Sequence, residues 1–337
     1  MTVLGHFRVA RHALAWKDRG PMRSPLVFLA ASAVLSLVSA SGCSGDETSS
    51  PAAAPPTTNA AHVPESDASA PDPGDAALAP DPGTKGCAIA PRGTGTFAAR
   101  TLTAAGKSRT YHLSVPGGAP PKQALPLVFV LHGATDTAPE NMRDWFGVEG
   151  KMTTPSLAVY PLALARTRSD GTGGLVTRWD LSGNDDLAFF DAMLAEIEAQ
   201  YCVDRAHVFV TGFSSGGNFS QHLACERQKD VKGMAVVAGP GPFSDACGGA
   251  VPVWMTHDKK DDALPVADAR SSRDFWAAQN GCKTAMWSAV SGRSECQRNT
   301  SCPAGEPLVY CETSGVGHDV PGFAVDEIGT FFSGLVK

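Results

Sequence analysis

The chain has 337 residues, a net charge of -6, 43% hydrophobic side chains and nine cysteines. Without a basic cluster beyond its N-terminal region it offers nothing to a nucleic-acid backbone, and its cysteines point to an oxidising, exported setting. Such a length is not spent on one domain, and the composition divides it into segments 1–43, 44–86 and 87–337.

In the first segment an apolar stretch from Leu26 to Val38 follows basic residues and precedes Ala40-Ser41-Gly42-Cys43. This reads as a signal peptide and resembles the lipobox of bacterial lipoproteins, with Cys43 as the lipidated residue. An ordinary signal peptide or a single anchor helix are the alternatives. Met22-Arg23-Ser24-Pro25 makes a neater start than Met1, so an overextended start is expected. The second segment is rich in Pro, Ala, Asp, Ser and Thr and nearly free of large apolar residues. It cannot bury enough surface to offset chain entropy, which predicts a disordered tether. Any membrane contact would run through a lipid on Cys43 alone.

The remaining ~250 residues suit one α/β domain. A leading antiparallel hairpin is expected around Phe97–Val115, then strands at Leu127–Leu131, Leu157–Tyr160, His207–Thr211, Met234–Val237, Val251–Met255 and Leu308–Cys311. Between them, Asp186–Ile197 carries apolar residues at helical spacing. That alternation predicts a mostly parallel sheet with helices on both faces. Ala165–Gly183, with Arg166, Arg168, Arg178 and Trp179, reads as a Gly-rich loop. Trp179 could stack on a substrate ring there or anchor the loop in the core, and Trp145 and Trp254 share that ambiguity.

Gly212-Phe213-Ser214-Ser215-Gly216 follows the apolar run Val208–Thr211 and opens a helix-like segment near Gly217. A G-x-S-x-G string in that setting is a nucleophile elbow: a sharp turn strains the serine backbone, and flanking side chains would collide with strand and helix. Ser214 would project from the carboxyl edge of the sheet, with the Ser215 N–H beside it as an oxyanion donor. Three histidines lie downstream. His222 falls on the helix after the elbow and would point away; His257 ends a strand. His318 sits in a glycine-rich loop after the last strand, where it can swing over the serine as general base rather than remain a solvated loop residue. The orienting acid should lie on the loop Thr256–Pro265, where Asp258, Asp261 and Asp262 compete.

These residues carry a family resemblance. From about Ser108 to Lys337 the chain resembles the secreted α/β-hydrolase esterases typified by feruloyl esterases, acetylxylan esterases and polyhydroxybutyrate depolymerase-like proteins. The matching pieces are Pro126–Gly133, Tyr201-Cys202-Val203-Asp204, Gly212–Gly217, and Gly317-His318 followed by Pro321-Gly322. The family's acid loop commonly reads H-G-x-x-D-x-x-V-P; here it is His257-Asp258-Lys259-Lys260-Asp261-Asp262-Ala263-Leu264-Pro265. The resemblance thus implies Asp261 as the catalytic acid, with Asp258 standing where a glycine is usual and so remaining the other candidate. It also implies that the Ala134 N–H, after His132-Gly133, is the second oxyanion donor, with His132 either lining the pocket or packing the loop.

Taken together, these residues imply a serine esterase: Ser214 as nucleophile, His318 as base, Asp261 orienting it, and no metal or other cofactor, since neither H-E-x-x-H nor paired C-x-x-C occurs. The family resemblance implies feruloyl or acetyl esters of cell-wall polysaccharide, or a short polyester, as substrates. The expected product is a monomer, either secreted or held at the cell surface or outer membrane by Cys43. A serine peptidase on the same fold and a non-catalytic binding lipoprotein are the other readings. Setting Cys43 aside leaves eight cysteines, enough for four disulfides among 105 pairings. Cys296–Cys302 and Cys282–Cys311 are the expected pairs near the His318 loop, with Cys202 as a possible free buried thiol.

Overall fold

Apolar runs without polar alternation build strands buried on both faces, the arrangement that needs helices on either side. The computed structural model describes residues 85–89, 93–118, 122–135, 138–168, 173–244 and 247–336. Cys43, the signal segment and all of the tether up to residue 84 lie outside the described residues. Lys85 and Gly86, which composition assigns to the tether, belong to a 3-10 helix Lys85–Ala88 against Tyr201.

In chain order the elements are β1 (Phe97–Ala104), β2 (Lys107–Ser114), β3 (Leu125–Leu131), α1 (Pro139–Phe146), β4 (Leu157–Pro161), β5 (Ala165–Thr167), β6 (Leu175–Thr177) and α2 (Asp185–Gln200). There follow β7 (Val203–Phe213), α3 (Ser215–Glu226), β8 (Gly233–Val237), β9 (Val253–Asp258), α4 (Val266–Gln279), β10 (Trp287–Val290), β11 (Arg293–Asn299), β12 (Leu308–Thr313) and α5 (Ala324–Leu335). The described residues form a ten-stranded sheet in the order β1-β2-β4-β3-β7-β8-β9-β12-β11-β10. Neighbours from β4 to β12 pair in parallel, while β1 with β2, β2 with β4, and β10, β11 and β12 pair antiparallel. This is the α/β-hydrolase arrangement, with the expected strands at the expected places.

The two-residue alternation of a strand sorts the core into two layers. Leu127, Phe129 and Leu131 pack with Phe190 of α2, Phe219 of α3 and Trp276 of α4. Val128 and Val130 face the other way, toward Phe146 of α1 and Phe332 of α5, and Trp254 is buried in that second layer. Every carboxyl end of the parallel strands therefore opens on one edge, where β7, β9 and β12 end at Phe213, Asp258 and Thr313. Within the expected loop Ala165–Gly183, β5 and β6 pair as a short ribbon. Arg166 of that ribbon bonds Asp186 at 3.1 Å, and Asp186 also forms an ion pair with the fully buried Arg109 at 2.6 Å.

The disulfides differ from expectation. They are Cys87–Cys202, Cys225–Cys247, Cys282–Cys302 and Cys296–Cys311. Closeness in sequence misleads because strand register decides: Cys296 of β11 lies directly across from Cys311 of β12, so neither Cys296–Cys302 nor Cys282–Cys311 can form. Cys202 is not a free thiol but clasps the N-terminal 3-10 helix. Non-reducing peptide mapping should recover these four pairs. Replacing Cys296 and Cys311 together by Ser should lower stability by about 2–4 kcal/mol, read from denaturant unfolding.

Candidate active site

Ser214 sits between β7 and α3 with φ 53° and ψ −121°, a region costly for any residue with a Cβ. The glycines around it permit the close approach that holds it there. A Cβ on Gly216 would stand 2.0 Å from the Leu131 carbonyl oxygen, and one on Gly212 would stand 2.5 Å from the Gly216 carbonyl carbon. The turn is thus pressed against the end of β3, and the Ser214 N–H is anchored to the Val237 carbonyl of β8 at 3.0 Å.

Over this turn the structure brings the expected partners together. The Ser214 hydroxyl donates to His318 Nε2 at 2.9 Å, and His318 Nδ1 donates to Asp261 Oδ2 at 2.8 Å. The Asp261 carboxylate is fully buried, and its other oxygen accepts the backbone N–H groups of Ala263 and Leu264 at 2.9 and 2.8 Å. Burial alone would raise its pKa, but the bonds from His318, Leu264 and Ala263 outweigh it and leave the group below the usual aspartate value. His257, also buried, donates Nε2–H to the Leu264 carbonyl at 2.8 Å and lies 3.3 Å from Asp261 Oδ2. It therefore ties the end of β9 to the acid loop.

Asp258 does something different. It faces the turn before His318, accepting from Thr313 Oγ1 and Val316 N at 2.8 Å each, from Gly315 N at 3.2 Å and from Lys260 N at 2.8 Å. Burial opposes its charge, yet these donors hold its pKa well below the ordinary range. Its carboxylate is spent on the β12–His318 turn and does not reach the His318 ring. Asp262 is exposed, and His222 bonds Ser244, not Ser214.

Of the expected oxyanion donors, Ser215 directly follows Ser214 and Ala134 follows Gly133, which approaches the serine. Neither the Ala134 N–H nor the Ser215 N–H has a hydrogen-bond partner among the described residues, and Ser215 opens α3, where helical N–H groups are unpaired. Gly133 approaches so closely that an added Cβ would stand 3.6 Å from Ser214 Cβ. His132 Nδ1 bonds the Gly133 carbonyl at 2.6 Å, and because a trans peptide points its C=O and N–H oppositely, the Ala134 N–H is turned away from that ring.

His132 and Trp179, expected as possible substrate-pocket residues, instead brace the scaffold. They are 3% and 1% exposed. His132 Nε2 accepts from the Ala163 N–H at 3.0 Å, and Trp179 Nε1 donates to the His132 carbonyl at 2.9 Å. The Trp179 ring stacks on Phe219 with centroids 5.0 Å apart. The aromatic surface next to the serine comes from Phe213, to which the sequence assigns no role, and Trp145, which it leaves ambiguous. Phe213, the variable residue of the elbow, lies 5.1 Å from the His318 ring, and the 40% exposed Trp145 stands edge-on to it at 5.9 Å. Sequence carries no signal of that pairing; only the fold brings α1 to the end of β7.

No protein-family model matches the chain. Feruloyl esterase C of Emericella nidulans is 29% identical over 219 residues, covering 63% of this chain and 76% of that protein. Feruloyl esterase D of Neurospora crassa is 30% identical over 216 residues, covering 62% and 74%. Among solved structures, an acetyl xylan esterase from Aspergillus awamori superposes with a TM-score of 0.53 at 16% identity, over 70% of this chain and 98% of that one; at that identity it speaks for the fold.

Since Asp258 is depressed in the folded state, its contribution to stability is present above about pH 4, the unfolded value, and is lost as pH falls from there toward its folded pKa. Asp258→Asn should therefore lower stability at pH 7 by about 1–3 kcal/mol, with the gap to the parent narrowing below pH 4. Thermal unfolding across pH checks this.

Proposed function

Because this chain belongs to the feruloyl esterase family and is a carboxylic ester hydrolase, we propose that it cleaves feruloyl esters of cell-wall polysaccharide through an acyl-enzyme on Ser214. The observation that carries the reading is the relay from Ser214 through His318 to the buried Asp261, aimed out of a strained turn beside two unpaired N–H groups.

Ser214 Oγ attacks the ester carbonyl as His318 Nε2 takes its proton. Asp261 keeps the imidazole in the Nδ1–H tautomer and stabilises the imidazolium. The carbonyl oxygen, now negative, is met by the Ala134 and Ser215 N–H groups, which act most strongly on charge present only in the transition state. The tetrahedral adduct collapses, the C–O bond to the alcohol breaks, and His318 returns the proton to the departing alkoxide. Water then repeats the sequence against the acyl-enzyme and releases the acid.

Trp145 and Phe213 form an exposed aromatic wall beside His318, a surface on which a planar phenolic acid can pack. That favours a feruloyl over an acetyl acyl group. A polyester remains the second reading, since the same wall would accept other apolar acyl chains. Four disulfides accord with export. The sequence at Ala40–Cys43 supports a lipid anchor on Cys43, testable by loss of detergent-phase partitioning in Cys43→Ser. We take the working unit to be a monomer, checked by sedimentation.

Ser214→Ala should lower kcat on methyl ferulate by about 10⁴-fold or more, and Asp261→Asn by about 10⁴-fold, while both keep the fold. Trp145→Ala should reduce kcat/KM for methyl ferulate about tenfold more than for p-nitrophenyl acetate, as expected for loss of an aromatic contact of roughly 1 kcal/mol and its buried area. Equal losses on both substrates would remove the feruloyl assignment.

A further inference from the structure

A polar cleft of about 440 Å³ opens between the loop before α2, the C-terminal half of α3 and the segment after β8. Its walls include Ser182, Asn184, His222, Glu226, Phe243 and Ser244. Along α3, His222 stands about 12 Å beyond Ser214 at the helical rise. The same loops reach the elbow: the Trp179 N–H bonds Ser215 Oγ at 3.2 Å, just before the Ser182 wall.

The cleft is built and held. Ser244 Oγ donates to Glu226 Oε1 at 2.7 Å and lies 3.2 Å from His222 Nδ1. With its proton given to Glu226, the hydroxyl accepts from Nδ1–H, leaving His222 Nε2 as a lone-pair acceptor. That nitrogen has no partner among the described residues, although the residue is only 6% exposed. Burial lowers the His222 pKa, favouring the neutral ring despite Glu226 and Asp180 nearby. Phe243 is 49% exposed. The loop that carries it is pinned to α3 by Asn218 Nδ2 to the Pro240 carbonyl at 2.6 Å, by Gln221 to the Gly239 carbonyl, and by the Cys225–Cys247 disulfide.

We propose that this cleft is a saccharide subsite that holds a neutral sugar chain on the alcohol side of the ester. The proposal rests on the esterase reading for the place of the chain, while the binding itself stands on the cleft. A sugar offers hydroxyl donors along its edge and a C–H face. The cleft offers the complement: fixed acceptors on Glu226 and His222, serine hydroxyls and the Asn184 amide able to take either role, and an exposed ring whose negative face attracts C–H groups. A carboxylate beside a neutral imidazole repels anions. Among the described residues no group of three or more His, Cys, Asp or Glu side chains is placed to hold a metal.

The test uses Ser214→Ala protein, which retains the cleft without turning over an ester, titrated calorimetrically with unesterified xylohexaose. Saturable binding is expected, weakened about tenfold by Glu226→Gln or Phe243→Ala, the fold-change of one charge-assisted hydrogen bond or one aromatic contact. With Ser214 intact, both changes should raise KM for a feruloylated xylo-oligosaccharide relative to methyl ferulate. No binding, binding that both variants keep, or preferential binding of spermidine would overturn the subsite. Those results would leave methyl ferulate turnover, and hence the esterase reading, untouched. Xylohexaose binding without methyl ferulate turnover would sustain the subsite and remove the esterase reading instead.

Discussion

The candidate active centre depends on one close approach: the turn Gly212–Gly216 lies so near the end of β3 that only glycine fits at positions 212 and 216. That contact forces the serine into its strained conformation and points its hydroxyl off the sheet edge. It also brings the start of α3 against the end of β3, with Gly216 close to the His132 carbonyl and Gly133 close to Ser214. The cost of the strain is met by anchoring on several elements, including the Ser214 N–H to β8 and the Trp179 N–H to Ser215.

Two neighbouring aspartates divide the remaining work. Asp261 reaches the His318 ring, whereas Asp258 fastens the turn from which His318 springs. The protein thus fixes His318 twice, once at the imidazole and once at the backbone of the turn before it. A glycine at position 258 could not supply the second set of bonds, so the departure from the family's usual loop has a structural purpose. His257 adds a further tie by bonding the Leu264 carbonyl on the far side of the acid.

Much of this was legible in the chain. The six central strands, the leading hairpin and the helix over Asp186–Ile197 follow from apolar periodicity, and G-x-S-x-G marks its residue because the turn it makes has few sequence solutions. Choosing among Asp258, Asp261 and Asp262 needed the family register, because hydrogen-bond reach is a three-dimensional quantity. Disulfide pairing failed for a related reason: Cys296 meets Cys311 through strand register, which spacing does not encode. For His132 and Trp179 the sequence leaves a pocket role and a packing role both open. Burial and saturated hydrogen bonding make them braces, while the aromatic wall falls to Phe213 and Trp145 from separate elements. Nor did Gly-rich composition reveal the β5–β6 ribbon, whose three-residue strands are too short to show a period.

The central claim is that Ser214 forms the covalent acyl-enzyme, and the most direct measurement is to trap that bond. The protein is treated with a fluorophosphonate, and the adduct is located by peptide mass spectrometry, with His318→Ala treated in parallel. The account predicts a single adduct on Ser214, formed in step with loss of ester hydrolysis and slowed greatly without His318. Hydrolysis that survives complete modification of Ser214, or an adduct on another serine that tracks the loss of activity, would contradict it.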